Sequence, residues 1–285
     1  MLVVIKGAGD LASGIAVRLH HAGFYIAMSE IAAPTSVRRT VSFSQAVYEG
    51  SARVEDVSAV LVSDEAGMRA AWHPPHARGA SIEKRVAVFV DPAAVIVKSL
   101  RPDALVDAVM AKKNTGTDLA DAPVVIGVGP GFAAGVDCHA VIETQRGHTL
   151  GRVITEGRAL PNTGVPGNIG GYTVERLLCA PADGVFEALA SIGDIVKKGD
   201  AVALVRASRG MAGGGEIPVK AGINGIVRGL LPSGIAVTKG MKAGDVDPRC
   251  ERPHCFTVSD KALAIGGGVL EAILRFTAAS VLLQR

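Results

Sequence analysis

The chain opens with a bare glycine turn between an apolar run and a helix-forming segment, and few folds accommodate such a start. Residues 2–6 have the pattern of a short buried strand, and residues 11–21 carry helical apolar spacing. Between them, Gly7, Gly9 and Ala12 match the pattern G-x-G-x-x-A. This order predicts the first strand and helix of a Rossmann-like α/β sheet.

An acidic residue ends the second apolar run, residues 24–29, where dinucleotide-binding sheets place one. Glu30 lies 21 positions after Gly9 and would accept hydrogen bonds from a ribose. The glycines would let the backbone approach a pyrophosphate, and the helix N-terminus would supply N–H donors. We therefore expect Gly7, Gly9, Ala12 and Glu30 to bind a nucleotide or dinucleotide cofactor.

Two features leave the identity of that cofactor open. Asp10 places a carboxylate inside the phosphate loop, and Arg38 and Arg39 favour a 2′-phosphate or another anion over plain NAD. A tight turn with an empty pocket would also explain the motif. NAD(P) is thus one candidate among several.

Alternation of strand and helix patterns continues beyond the second strand. Strands are predicted at residues 57–62, 86–90 and 94–98, and helices at residues 64–72 and 102–112. Such alternation is typical of a mostly parallel sheet.

A second glycine-rich turn follows the apolar run 124–128. It contains Gly127, Gly129 and Gly131. Because the turn comes after a strand, we expect these glycines to line the same ligand crevice as the first turn.

Reactive side chains are densest just after this second turn, at Asp137, Cys138, His139, Glu143 and His148. Their position predicts that Cys138 and His139 face the crevice as catalytic residues. The alternative is a strand flanked by polar loop residues.

An internal repeat follows a loop rich in Pro, Gly and Asn. Residues 182–200 align with residues 223–241 at a constant offset of 41, which predicts two interlocked hairpin units. The pattern resembles the biotinyl/lipoyl carrier domain, a small all-β barrel-sandwich hybrid. No lysine lies between Arg206 and Val219, so we expect no covalent biotin or lipoyl group.

These patterns predict a nucleotide-binding domain at residues 1–175, the β domain at residues 176–246, and a segment at residues 247–285 that packs back on the first domain. The last segment ends in a buried helix that includes residues 269–276. It also contains Cys250, His254 and Cys255, whose spacing is poor for one metal ion. We predict no metal site and leave the role of these three residues open.

Composition excludes several classes of partner. Aromatic residues make up 4% of the chain, too few for base-stacking platforms, and the net charge of +3 is too mild for a nucleic-acid or membrane surface. The start of the sequence lacks the pattern of a signal peptide, and the four cysteines show no disulfide framework. We expect a cytoplasmic protein without nucleic-acid or membrane partners, and a homo-oligomer is possible.

Longer motifs, among them "KGAGDLASG", "VRRTVSFSQAVYEG", "PNTGVPG", "GDVDPR" and "SDKALAIGGGVLEAI", resemble the YqeB-type proteins over essentially the whole chain. This resemblance implies an accessory role in the maturation of selenium-dependent molybdenum hydroxylases of the xanthine dehydrogenase type. The implied ligand is a nucleotide or a molybdopterin dinucleotide, and the implied partner is the hydroxylase itself.

Two other functions stay open. An NAD(P)-dependent oxidoreductase fits the first glycine turn and Glu30, but no Tyr-x-x-x-Lys pair accompanies them. A non-enzymatic scaffold, whose β domain docks a partner enzyme, fits the missing carrier lysine.

Overall fold

A computed structural model describes residues 1–73, 84–207 and 215–282. The chain forms two compact units, whose boundaries differ from the predicted ones at 175 and 246. Unit 1 comprises Met1–Pro34, Val41–Thr163 and Val258–Arg285, and unit 2 comprises Thr35–Thr40 and Gly164–Thr257.

Unit 1 is built on one nine-stranded sheet. Its strands are β1 (Leu2–Lys6), β2 (Tyr25–Glu30), β3 (Ser51–Val54), β4 (Val57–Leu61), β5 (Val86–Val90), β6 (Ala104–Asp107), β7 (Val124–Val128), β8 (Ala140–Ile142) and β9 (Val153–Ile154). Its helices are α1 (Asp10–His21), α2 (Ala46–Glu49), α3 (Glu65–Trp72), α4 (Ile96–Leu100) and α5 (Asp260–Leu282). The strand order is β3-β4-β5-β2-β1-β6-β7-β8-β9.

This sheet is mixed, with an antiparallel pair at each edge. Along the spatial order of the sheet, every strand from β4 through β8 pairs in parallel with its neighbours in that stretch. At the two edges, β3 runs antiparallel to β4, and β9 runs antiparallel to β8. Alternation along the sequence did not indicate the edges because β3 has four residues and β9 has two. The predicted fold class, a Rossmann-like mostly parallel sheet with a barrel-sandwich hybrid domain, is therefore wrong.

Two predicted segments also change type. Residues 102–112 were predicted as a helix but contain strand β6, in which Leu105 and Val106 pack on opposite faces of the sheet. A strand buried on both faces has a continuous apolar run that periodicity confuses with a helix. Residues 94–98 were predicted as a strand, but Asp91 Oδ2 accepts a hydrogen bond from Ile96 N (2.9 Å) at the start of α4.

Helices α1 and α5 pack closely on one face of this sheet. A Cβ at Gly14 of α1 would lie 2.6 Å from the Cβ of Ala262, and one at Gly266 would lie 3.1 Å from the Gly14 carbonyl oxygen. The missing side chains let the two backbones approach. Because α5 supplies fully buried Ile265 and Val269 to the same core, the C-terminal helix is an integral part of unit 1.

Unit 2 contains two four-stranded sheets whose described pairs are antiparallel, with orders β10-β17-β15-β12 and β14-β13-β11-β16. The strands are β10 (Leu177–Cys179), β11 (Gly184–Ala188), β12 (Ile195–Val196), β13 (Ala201–Ala207), β14 (Glu216–Lys220), β15 (Gly225–Leu230), β16 (Ala236–Val237) and β17 (Lys242–Asp247).

The internal repeat of the sequence is present in these strands. The starts of β11, β12 and β13 match those of β15, β16 and β17 at the same offset of 41, and the halves interlock because β11 pairs with β16 and β12 with β15. The assignment to the carrier-domain fold is nevertheless wrong, as part of the fold class corrected above. Each sheet also contains one strand from outside the repeat, β10 in the first sheet and β14 in the second. The tip of the predicted attachment hairpin, residues 208–214, lies outside the described residues.

No helix among the described residues is long and apolar enough to span a membrane.

Candidate functional site

Charged side chains collect at the carboxyl ends of three neighbouring parallel strands of unit 1. Lys6 ends β1, Glu30 ends β2 and Asp107 ends β6. Since β1 pairs in parallel with both of the other strands, the three residues share one edge of the sheet. We call this edge, with the turns that follow the strands, the carboxyl edge.

The first glycine turn begins at Gly7 with a conformation and a contact that both require glycine. Gly7 has a φ of +90°, and a Cβ there would lie 3.2 Å from the carbonyl oxygen of Ala108. Its N–H donates to the Ser29 carbonyl (2.8 Å). The turn is thus held between the ends of β2 and β6.

Glu30 braces this turn from the neighbouring strand. Its Oε2 accepts a hydrogen bond from Ala8 N (2.9 Å), and its Oε1 accepts one from Ile31 N (2.8 Å). The Ala8 carbonyl in turn accepts from Ser44 N (2.8 Å) and Ser13 Oγ (3.1 Å). Both backbone groups of Ala8 are therefore satisfied inside the protein. The position of Glu30 beside the glycine turn agrees with the sequence, while its role as a ribose acceptor stays a prediction.

Helix α1 begins at this turn without a side-chain cap. Gly9 is its N-cap, with extended backbone (φ −67°, ψ −178°), and it has no side chain to accept from the first turn. Ala12 is buried against the core, so its small side chain serves helix packing. The first-turn N–H groups lack helical acceptors and carry the positive end of the helix dipole. A helix end of this kind suits an anionic group.

A buried cluster that the sequence did not reveal lies behind the turn. Lys6 Nζ donates to Thr117 Oγ1 (2.7 Å) and lies 3.6 Å from Asp107 Oδ2, and the Thr117 hydroxyl donates to the same carboxylate oxygen (2.5 Å). Asp107 is 2% exposed. The cluster fixes the ammonium group of Lys6 directly before Gly7.

Lys261, in the first turn of α5, is a second lysine in a perturbed environment. Burial lowers its pKa, and the nearby Arg146 lowers it further, whereas Asp10, Glu143 and Asp260 raise it. Arg146 forms an ion pair with Asp260 (Nη1–Oδ2, 2.6 Å). Asp10, the acidic residue in the first turn of α1, is therefore one of the charges that act on the pKa of Lys261.

The second glycine turn is filled by the protein itself. A Cβ at Gly127 would lie 2.4 Å from Phe132 Cγ, one at Gly129 would lie 2.9 Å from Thr144 Oγ1, and one at Gly131 would lie 3.1 Å from Lys113 Cα. These glycines make room for side chains and for a neighbouring loop. Ligand contact by Gly127, Gly129 and Gly131 stays a prediction that these contacts do not support.

Cys138 and His139 occupy structural positions. Cys138 is fully buried, and this burial raises the pKa of its thiol to about 11. His139 precedes β8 and lies at the amino end of β7, where its Nδ1 accepts from Val125 N (3.0 Å). His139 is thus on the side of the sheet away from the carboxyl edge. Nothing in this geometry activates either residue for catalysis, and their catalytic role stays a prediction.

Other residues singled out from the sequence have backbone partners. Glu143, 2% exposed, accepts from Gln145 N (2.7 Å) and Leu160 N (2.8 Å), and Asp137 accepts from Ala133 N (2.8 Å). These carboxylates hold loops in place. His148 is exposed.

Arg38 and Arg39, which the sequence suggested as anion-binding residues, belong to a segment of unit 2. Arg38 donates to the carbonyls of His254 and Thr257, and Arg39 donates to that of Leu230.

The closely spaced Cys250, His254 and Cys255 do not form a ligand set. Cys250 is exposed, whereas Cys255 is fully buried and its Sγ faces the Val227 carbonyl (3.8 Å). Among the residues that the structure describes, no three His, Cys, Asp or Glu side chains are grouped to hold a metal ion.

The fold and the site define a two-unit protein: an α/β unit with a braced glycine turn at its carboxyl edge, and a β unit with an internal repeat. No family model matches the chain. It is 50% identical over 273 residues to the "Uncharacterized protein YqeB" of Escherichia coli (strain K12), which covers 96% of this chain. The resemblance to YqeB-type proteins that the motifs predict is confirmed. The chain spans 47% of the length of that relative.

Solved structures give a much weaker likeness. An aspartoacylase family protein from Mesorhizobium loti is 14% identical, with 86% of this chain and 84% of that chain covered and a TM-score of 0.30. A succinylglutamate desuccinylase from Silicibacter sp. TM1040 is also 14% identical, with the same coverage and a TM-score of 0.26. Likenesses this low carry no argument about fold or function.

Proposed function

We propose that this protein is a cytoplasmic accessory factor in the maturation of selenium-dependent molybdenum hydroxylases of the xanthine dehydrogenase type. In this proposal, unit 1 binds a nucleotide, or the dinucleotide part of the molybdenum cofactor, at its carboxyl edge. The biological role is the one that the resemblance of the sequence motifs to YqeB-type proteins implies, and the geometry of the first glycine turn supports the binding.

The observation that carries the binding proposal is the uncapped start of α1. Gly9 leaves the first-turn N–H groups without a side-chain cap, while Glu30 and Ser44 hold the preceding residue, Ala8, in place. A turn that is held in this way, at a helix start whose N-cap has no side chain, is preorganised for a phosphate group. Lys6, the last residue of β1, adds a positive charge at this edge, where it is paired with Asp107.

The test is calorimetric titration of the full chain with NAD, NADP, ATP, CTP and a molybdopterin dinucleotide, followed by the same titrations of Gly9→Val. The extended backbone of Gly9 is open to valine, so the variant should fold while its branched side chain obstructs the phosphate position. We expect at least one ligand to bind the wild type, with a loss of about 2 kcal/mol or more in Gly9→Val, roughly thirtyfold in affinity.

Gly267→Ala is the matched control, because Gly267 lies in α5 with open space around its Cβ position. This control should bind like the wild type. Selective binding of NAD or NADP would favour the oxidoreductase alternative. If no ligand binds the wild type more tightly than Gly9→Val, the turn is structural and the scaffold alternative is preferred.

A further inference from the structure

Unit 2 contains a buried cluster of arginines and aspartates that the proposed function does not use. Asp245 and Asp247 lie on β17, Arg249 follows that strand, and Arg176 lies in a 3-10 turn directly before β10. Arg228 lies on β15 where the register with β17 shifts between Val227 and Gly229. A bulge of this kind redirects a side chain, and here it directs Arg228 toward the aspartates of β17.

These charges are almost completely removed from water. Arg176 and Asp245 are each 5% exposed, Arg228 is 9% exposed, and Asp247 is 0% exposed. Burial lowers the pKa of Arg176, the nearby Asp245 opposes that shift, and Arg228 adds to it. Buried charges are costly unless they are paired and hydrogen-bonded, so their hydrogen-bond partners decide what the cluster can do.

One ion pair in the cluster is complete. Arg249 donates from Nε to Asp247 Oδ1 (3.0 Å) and from Nη2 to Asp247 Oδ2 (2.6 Å). This two-point pairing engages both oxygens of Asp247, and Arg228 Nη1 stays 3.8 Å from Oδ2. Asp247 therefore gives Arg228 charge compensation without a hydrogen bond.

The other groups are left with unused hydrogen-bonding capacity. Arg176 donates from Nη2 to the Gly167 carbonyl (3.1 Å), but its Nη1 is 3.6 Å from Asp245 Oδ2. Among the described residues, Arg176 Nε and Nη1 and Arg228 Nε have no acceptor, and Asp245 Oδ1 has no donor. Buried polar atoms without partners are rare in folded proteins, and each calls for an explanation such as an ion or a ligand that binds there.

We propose that Arg176, Arg228 and Asp245 bind a protonated phosphate group, either free hydrogen phosphate or the end of a phosphate monoester. The guanidinium N–H groups would donate to phosphate oxygens, a geometry that suits the planar arginine side chain. The P–O–H group would donate to Asp245 Oδ1, the acceptor that has no partner in the protein. Arg249, whose side chain is 43% exposed, is the part of the cluster that reaches solvent.

The carboxylate makes this site selective among anions. Sulfate has the same shape and charge as hydrogen phosphate but carries no proton at neutral pH. Sulfate would therefore place an oxygen lone pair against Asp245 Oδ1 and leave that acceptor unsatisfied. A site built to accept a hydrogen bond from its ligand rejects the analogue that lacks the donor.

The experiment titrates the full chain with inorganic phosphate and with sulfate at pH 7 and constant ionic strength, using calorimetry. We expect phosphate to bind at least about tenfold more tightly than sulfate. A parallel titration with glycerol 3-phosphate distinguishes the two sources, because tighter binding than inorganic phosphate indicates an ester and weaker binding indicates the free ion. Binding of neither anion, or equal binding of phosphate and sulfate, would overturn the proposal.

Two variants test the assigned roles. Asp245→Asn replaces a carboxylate oxygen with an N–H donor. The variant should therefore bind phosphate more weakly and sulfate more tightly than the wild type, and the ratio of the two affinities should fall to about one. Arg228→Lys should lower the affinity for phosphate about tenfold, because one compact ammonium group replaces the guanidinium group. Arg206→Gln is the control: Arg206 lies in the same unit but is 60% exposed and pairs with Glu187. An unchanged ratio in a folded Asp245→Asn variant would also contradict the proposal.

Discussion

The two glycine turns of unit 1 have similar sequences but different environments. At the first turn, Gly9 is the N-cap of α1, and because glycine has no side chain, the start of the helix lacks a side-chain cap. Around Gly127 and Gly129, the space that a Cβ would take is already filled by Phe132 and Thr144. One turn presents backbone donors, and the other contributes to packing.

This difference shows what a glycine motif specifies on its own. Glycine permits close approach of another group, but the sequence does not say whether that group is a ligand, a side chain or a second backbone. The partner is settled by the following residues: Phe132 folds back on Gly127, whereas Asp10 starts a helix that leads away from Gly9. Substitutions at the two turns should accordingly affect different properties.

The largest expected effect is the loss of stability in Gly127→Ala. The new Cβ would lie 2.4 Å from Cγ and 2.7 Å from Cδ2 of Phe132, which is 3% exposed. Because neither β7 nor a buried ring moves freely, we expect the free energy of unfolding to fall by about 3 kcal/mol. Urea unfolding measures this directly. In a Phe132→Ala background the same substitution should cost about 1 kcal/mol less, because the two ring contacts are gone while the Cβ of residue 132 stays 2.8 Å from the new Cβ.

Gly135→Ala serves as the comparison for that experiment. Gly135 has a φ of +82° and nothing within 4 Å of its Cβ position, so alanine there meets backbone strain without a clash and should cost about 1 kcal/mol. If Gly127→Ala costs no more than Gly135→Ala, the packing explanation of the second turn is incorrect.

The next effect concerns Cys138, whose buried thiol has a pKa raised to about 11. Because the folded-state pKa lies above the unfolded one, the stabilising contribution is fully present below about pH 8.5 and is lost as the pH rises toward 11. By about pH 10.5, the wild type should lose about 2 kcal/mol more unfolding free energy than Cys138→Ala, relative to their values at pH 8.

Cys179→Ala provides the control, since Cys179 is exposed and its removal should leave the alkaline profile unchanged. Urea unfolding across the pH range gives the profiles. Matching profiles for the wild type and Cys138→Ala would mean that the thiol ionises readily in the folded protein, and would restore Cys138 as a candidate nucleophile.

Much of the local structure could be predicted from sequence, and the long-range pairing could not. The patterns for β1, β7 and residues 269–276 of α5 are clear because each has an apolar run or helical period, whereas the first nine residues of α5, from Asp260, were not predicted as helix. The short edge strands β3 and β9 give almost no periodic signal, and they make the sheet mixed. The fold class was therefore wrong although many of its elements were right.

The candidate site shows the same limit. The place of Glu30 beside the glycine turn could be predicted because it follows from strand order alone. The cluster of Lys6, Asp107 and Thr117 could not, because Asp107 lies in a segment predicted as a helix and meets Lys6 only through the pairing of β1 with β6. The one sequence signal for this cluster was Lys6 itself, a lysine that ends a strand directly before a glycine turn.

The smallest effect we predict is also the one that most directly tests the brace at the first turn. Glu30 holds the backbone of Ala8 and Ile31 through two hydrogen bonds. Glu30→Gln keeps the size and one carbonyl oxygen but removes the charge, so it should cost about 1 kcal/mol and raise the hydrogen-exchange rate of the Ala8 amide about fivefold. NMR without added nucleotide measures that rate. Glu49→Gln, at an exposed carboxylate elsewhere in unit 1, should leave it unchanged. Unchanged Ala8 exchange in Glu30→Gln would show that the brace is not formed in solution, and Glu30 would then be available to contact a ligand as the sequence first suggested.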